Sequence, residues 1–387
     1  MNNTPFFLIN TNKIDDLLSD MRRELESKWP KAIIGYSFKT NNLPWIIKYM
    51  KDKGVWAETV SSDEYNLALE LGFSADKIIF NGPVKDKATF LYAVENNSVV
   101  NIDSKREINW VLELDEVKRA LVKVGLRVNF CIEDYCPGES QCGSDDGRFG
   151  FSYENGELEE ALSVLEKHGV KVSGLHLHCS SKTRSLYIYR AIAKIAAEIS
   201  SKYALDLDYV DVGGGFFGGV VGKPSFKDYF EVIHAELSNC DRLKNTNVII
   251  EPGMSLIGAS VDYYTSVVDV KNTKNNHFVI TDGSRTHIDP LMRKSAYTYH
   301  IEGGKDEAVD NQIICGFTCM EGDRFFKYDG KRLQEGDKIV FEKVGAYTMG
   351  LSPQFIEFYP AVYAAIGDEI VEARPKVDAK KFVNINK

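Results

Sequence analysis

Over the first two-thirds of the chain, short apolar blocks alternate with longer stretches in which apolar residues return every third or fourth position. The blocks AIIGYSF, VWAETV, KIIFNG, SVVNID, VKVGLRVN, KVSGLHLH, DYVDVGGG and VIIEPG read as strands. The stretches LPWIIKYMKDKG, SSDEYNLALELG, KDKATFLYAVEN, KREINWVLELDEVKRA, ENGELEEALSVLEKHG and SLYIYRAIAKIAAEISSKY read as helices. Pro44 falls in the first turn of one helix and Gly54 just past its end, where each residue is best tolerated. Ahead of the series stand a strand, TPFFLIN, and a helix from Lys13 to Trp29. Regular alternation of this kind builds a parallel sheet. The number of units, without internal repeats, predicts an α/β fold, a (β/α)8 barrel over residues 30–260.

The pattern then changes. SVDYYTSVVDVK, NNHFVITDG, QIICGFTC, DKIVFEKVGAY and AVYAAIG are strand-like and separated by turns such as DGKRLQEGD. They predict an all-β domain of residues 261–387, which residues 1–29 join because the first strand has no place in the alternation.

Composition narrows the function. The 387 residues carry a formal net charge of −9, which disfavours nucleic acid and anionic membrane as partners. No apolar run is long enough for a membrane span, and the N-terminus has no secretory pattern. Seven scattered cysteines fit a reducing compartment, and the chain reads as cytoplasmic. Cys131, Cys136 and Cys142 lie in a Gly- and Asp-rich loop without a C-x-x-C spacing or a nearby histidine, so no structural zinc is expected.

Chemistry in a barrel belongs at the C-terminal ends of strands. Lys39 is at one: a desolvated lysine can attack a carbonyl, although one just past a strand can also be a plain surface residue. Gly213, Gly214 and Gly215 follow another strand, either as a tight turn or as a cradle of N–H groups for an anion. His176 and His178 share one strand face, open to metal binding or to stacking on a flat ring. Glu251 could hold a heteroaromatic nitrogen protonated or form a salt bridge. A Schiff-base lysine, a phosphate cradle, a stacking histidine and a ring-nitrogen carboxylate together meet the needs of pyridoxal 5'-phosphate.

At these segments the chain resembles the fold-type III pyridoxal-phosphate decarboxylases, which include the ornithine and diaminopimelate enzymes. YSFKTN is similar to the family's Schiff-base segment, HLHCSS to its H-x-H-x-G-S element, DVGGGF to its glycine run, and EPG to its glutamate element; RFGF also fits, with Arg148 in the basic position. CGFTCMEGD is similar to the cysteine element and GAYT to the tyrosine segment. The resemblance implies an alanine-racemase-like fold whose β domain is Greek-key-like. It implies Lys39, His178 and Cys319 as catalytic, with Cys319 returning a proton to the substrate. It places Glu58, Ser181, Gly213, Gly214, Gly215, Glu251, Gly253 and Tyr347 around the cofactor. It also implies a head-to-tail homodimer in which each β domain completes its neighbour's active site, with an Arg148–Asp323 pair across the interface.

The distal substrate contacts depart from the family. EPGM places Met254 where the family has arginine; IDPLMRK places Asp289 at another arginine and Arg293 near the tyrosine; Met320 replaces the acid after Cys319. Asp282 and Asp323 remain as acids for the substrate side. These changes predict decarboxylation of an amino acid or amino-acid conjugate other than meso-diaminopimelate, in siderophore, antibiotic or polyamine-related metabolism. An amino-acid racemase is the alternative, though such enzymes use a β-domain tyrosine where Cys319 stands.

Overall fold

A computed structural model describes residues 3–141, 145, 147–179 and 181–387; Cys142 lies outside the described residues. The chain forms two compact units, one of residues 17–255 and one that joins the N-terminal residues up to Asp16 with Leu256–Lys387.

In the first unit, eight parallel strands close on themselves: Ile33–Ser37, Trp56–Thr59, Ile78–Phe80, Val99–Ile102, Lys123–Asn129, Lys171–His176, Tyr209–Asp211 and Asn247–Ile250. Each pairs with the next, and Ile249 and Ile250 of the last lie beside Ile33 and Ile34 of the first, so the sheet is a barrel. Buried Ile79, Tyr209 and Ile249 form part of its interior. Tyr209 fits because two strands facing it carry glycine. A Cβ on Gly174 would lie 2.1 Å from the tyrosine ring, and one on Gly125 would lie 2.2 Å from its hydroxyl.

Two local differences from the sequence reading have plain causes. The predicted helix KREINWVLELDEVKRA is two helices, Lys105–Leu112 and Glu116–Leu121. Asp115 breaks it by accepting from Lys118 N at 2.9 Å as an N-cap, while Arg119 satisfies the freed carbonyls of Leu112 and Leu114. A helix at Phe226–Ser238, absent from the sequence reading, starts at a Ser225–Asp228 capping box and buries Tyr229, Phe230 and Ile233.

The second unit is one twisted sheet. Val261–Asn272 is its hub, pairing with Phe6–Asn10, with His277–Thr281 and with Lys338–Glu342. Phe6–Asn10 also pairs in parallel with Ala361–Ile366. The segment DGKRLQEGD, read as a turn, is only partly one: Asp329–Arg332 continue the strand Arg324–Arg332 along Lys305–Cys315. Asp329 holds it there by accepting from Asn311 N at 2.6 Å. Thr298–Glu302 and Glu369–Arg374 are further strands that the sequence reading did not assign. Among the described residues no helix is long and apolar enough to cross a membrane.

Candidate active site

After the first barrel strand the chain makes a single 3-10 turn, Phe38–Thr40, anchored by buried Phe38 and Thr40. This presents Lys39 at the C-terminal end of the barrel, its side chain 39% exposed. Its ammonium donates to Glu58, at the end of the second strand, at 2.7 Å. Glu58 also accepts from the Ser37 hydroxyl and from Asn81 Nδ2. Burial pushes the Glu58 carboxyl up, but the attraction of Lys39 and these hydrogen bonds outweigh it and leave the group below its ordinary value.

At the end of the neighbouring strand, which closes the barrel against the first, Glu251, 4% exposed, follows Ile250. It accepts from Asn81 Nδ2 at 2.5 Å and lies 3.7 Å from His176 Nε2. Burial, with Asp211 and Glu58 close by, holds its carboxyl far above the usual range. Asp211 is itself raised to about 7, chiefly by burial. A buried acid in this state is suited to a ligand that brings a positive charge, as a protonated ring nitrogen does. The ligand atoms of His176, Asp211 and Glu251 lie within 4.8 Å of one another. Burial and nearby Arg127 keep both histidines neutral, with His178 lowered to about 3.

The glycines are required by close approach. A Cβ on Gly213 would lie 2.4 Å from His178 Cβ, one on Gly214 2.2 Å from the Glu251 carbonyl, and one on Gly215 2.7 Å from Ser181 Oγ. Gly213 and Gly215 also have φ of +70° and +94°, which side-chain-bearing residues rarely adopt. The backbone therefore runs bare against His178, Ser181 and Glu251, as a phosphate cradle demands. Gly253 is equally tight, its Cβ position 2.1 Å from Thr40 Oγ1. Lys39, Glu58, His178, Ser181, Gly213–Gly215, Glu251 and Gly253 thus gather on one barrel, and this donor set fits pyridoxal phosphate.

Asn81, Asp211 and Arg127 were not singled out by the sequence. Arg127 Nη2 donates to the His178 carbonyl at 3.3 Å and the guanidinium stacks on Phe149 at 4.6 Å. The only sequence signal for these residues is polarity at or just past the end of an otherwise apolar strand. A cavity of about 440 Å³ opens beside Arg127 and His178, lined by Asn129, Cys131, Cys179 and Lys182.

The second unit carries the other predicted site residues. Cys319 is exposed on a groove of about 240 Å³ that Thr318, Met320 and Asp323 also line. Asp323 is buried and accepts from Arg285 N, Thr318 N and Thr318 Oγ1. Asp282 accepts from Ser266 N and Thr4 Oγ1, and burial raises its carboxyl. Tyr347 is exposed, with φ +56°. Arg148 stacks on Phe149 at 4.2 Å.

Residues 12–258 match the family model for the pyridoxal-dependent decarboxylases, pyridoxal-binding domain. The chain belongs to this family, the fold-type III pyridoxal-phosphate-dependent amino-acid decarboxylases. Among its relatives, the diaminopimelate decarboxylase of Staphylococcus aureus (strain COL) is 28% identical over 93% of this chain and 88% of its own. That of Aquifex aeolicus (strain VF5) is 27% identical over 91% of this chain and 84% of its own. The fold is that of the M. jannaschii diaminopimelate decarboxylase in complex with L-lysine (TM-score 0.88, 21% identity, 99% of this chain and 92% of that one).

These relatives overturn the expectation of a substrate other than meso-diaminopimelate, together with its siderophore, antibiotic and polyamine settings and the racemase alternative. The geometry shows why one of the three replacements, Asp289, misled. Asp289 is a brace within its own unit: it takes both Nε and Nη2 of Arg285, the N–H groups of Arg293 and Lys294, and the Tyr297 hydroxyl. Met254 opens the short helix Met254–Ile257, and the Met320 carbonyl closes a turn with Asp323 N at 2.9 Å. The Asp289→Ala protein is expected to lose about 2 kcal/mol of unfolding free energy, because it removes a buried carboxylate on which the Arg285 guanidinium, two backbone N–H groups and the Tyr297 hydroxyl converge. Denaturant titration measures this, and a loss below about 0.5 kcal/mol would contradict the brace.

Proposed function

We propose that the protein is a meso-diaminopimelate decarboxylase, acting in the cytoplasm as a head-to-tail homodimer. The observation that carries the reading is the set of relatives named for this activity, which match nine-tenths of the chain while the barrel keeps the lysine, histidine, glycine and glutamate positions.

Lys39 would anchor the cofactor aldehyde, and Glu58, which accepts from its ammonium at 2.7 Å, would orient and charge that lysine. The bare backbone of Gly213–Gly215, with Ser181, would receive the phosphate, together with Tyr347 of the partner subunit. Neutral His178 would stack on the ring face, and Glu251 would pair with the ring nitrogen. Bound there, the cofactor supplies an electron sink when carbon dioxide leaves the α-carbon. Cys319, contributed by the neighbouring subunit's β unit, would deliver the proton that replaces the carboxylate, and its thiol is exposed. Arg148 and the neighbour's copy of Asp323 pair across the interface. Arg293 and Asp282 are the charged candidates for the substrate's distal carboxylate and ammonium, and Asp289, Met254 and Met320 shape their surroundings.

Carbon dioxide release from meso-diaminopimelate, with lysine as product, is the test. L-lysine, L-ornithine and L-arginine serve as comparison substrates. The expected preference for meso-diaminopimelate is at least about a hundredfold in kcat/KM, since a site built to pair the distal carboxylate discriminates strongly against analogues without it. Equal or faster release from any comparison substrate refutes the assignment.

A further inference from the structure

The lysine end and the ring end of the site are joined by one side chain that the assignment above does not use. Asn81, just past the third barrel strand, is 2% exposed. Its Nδ2 donates to Glu58 Oε1 at 3.0 Å and to Glu251 Oε1 at 2.5 Å. An amide nitrogen has two hydrogens, and these two carboxylates take both.

The amide is itself locked. Its carbonyl accepts from Asn101 Nδ2 at 2.8 Å, and Asn101 Oδ1 accepts from the Tyr209 hydroxyl at 2.8 Å. Tyr209 holds its place because Gly125 and Gly174 leave room for it. Turning the Asn81 amide over would set its oxygen against two carboxylates and its nitrogen against the Asn101 NH2. The network therefore selects one orientation, and every link in it is buried.

We propose that Asn81 is a positioning residue that couples the two acids of the cofactor site, so that the proton balance at the lysine end and at the ring end is set jointly through one shared amide. This rests on the reading of Lys39 and Glu251 as the cofactor's two partners. The groups facing the coupled acids are Lys39 on both, and Asp211 and His176 on Glu251, with Arg127 near both and His178 near Glu58. A donor hydrogen stabilises a carboxylate anion. Without it each acid holds its proton more tightly, and the cofactor bound between them titrates at higher pH.

The test uses the cofactor-loaded protein and follows the pH midpoint of its visible absorption, together with its melting temperature. Asn81→Leu keeps the bulk and deletes the donors; Asn81→Asp adds a third acid. The midpoint is expected to rise by about half a unit in Asn81→Leu and by about one unit or more in Asn81→Asp. A residue that only packs would lower the melting temperature in both variants and leave the midpoint in place, and that result overturns the proposal. Should the Asn81 variants fail to fold or to hold cofactor, Tyr209→Phe decides, because it loosens Asn101 while keeping the ring. A smaller rise there supports the coupling, and an unmoved midpoint refutes it. Lys39→Ala separates the two layers: a variant that stays yellow defeats the assignment of Lys39, whereas a colourless one beside unmoved Asn81 midpoints defeats only the coupling.

Discussion

Purified Lys39→Ala protein is expected to be colourless, to resist borohydride labelling and to decarboxylate on the order of 10⁴-fold more slowly than the parent. The fold should survive. Lys39 extends from a short turn whose anchors are Phe38 and Thr40, and its side chain is partly exposed. Removing it leaves Glu58 buried with two hydrogen-bond donors, Ser37 and Asn81, still in place. Borohydride treatment of the parent, followed by peptide mapping, should put the label on Lys39. A Lys39→Ala protein that keeps the yellow colour, or a label on another lysine, would refute the assignment.

Mixing gives the second large effect. Lys39→Ala and Cys319→Ala proteins should each be nearly inactive as homodimers. Co-refolded in equal amounts they should recover about a quarter of the parental activity, because half of the dimers are mixed and each mixed dimer has one intact site. The two residues lie on different units of the chain, Lys39 on the barrel and Cys319 on the sheet. Complementation requires that an active site take its lysine from one subunit and its cysteine from the other. Each variant would be checked alone for its oligomeric state by light scattering. If both are dimers and mixing restores no activity, the shared-site arrangement is wrong.

The barrel was legible because its strands and helices differ in apolar period, and because Gly, Pro and Asp mark most of their ends. The strand–helix alternation still missed Phe226–Ser238 and the break at Asp115, where capping side chains rather than apolar spacing decide the boundary. In the site, Lys39, His178, the glycine run and Glu251 stood out because each lies in a compact local motif. Asn81 did not: its partner Glu251 is 170 positions away, and no local pattern signals a contact of that separation. Substrate choice misled for a related reason. Asp289 was compared with a ligand-binding position, yet its neighbours Arg285, Arg293, Lys294 and Tyr297 consume its acceptor capacity within a few residues of chain.

The strand Phe6–Asn10 bears on how the protein is made. It lies between Val261–Asn272 and Ala361–Ile366, so it is synthesised before the barrel and acquires its partners only after it. The whole barrel emerges from the ribosome in the meantime. During that interval Phe6, Phe7 and Ile9, later fully enclosed, have no sheet to enter. Closure of the β unit is thus postponed until Ala361–Ile366 has been synthesised, a separation in sequence that slows folding. A fragment beginning at Leu256 would lack the strand between those two partners and present two apolar edges open to aggregation.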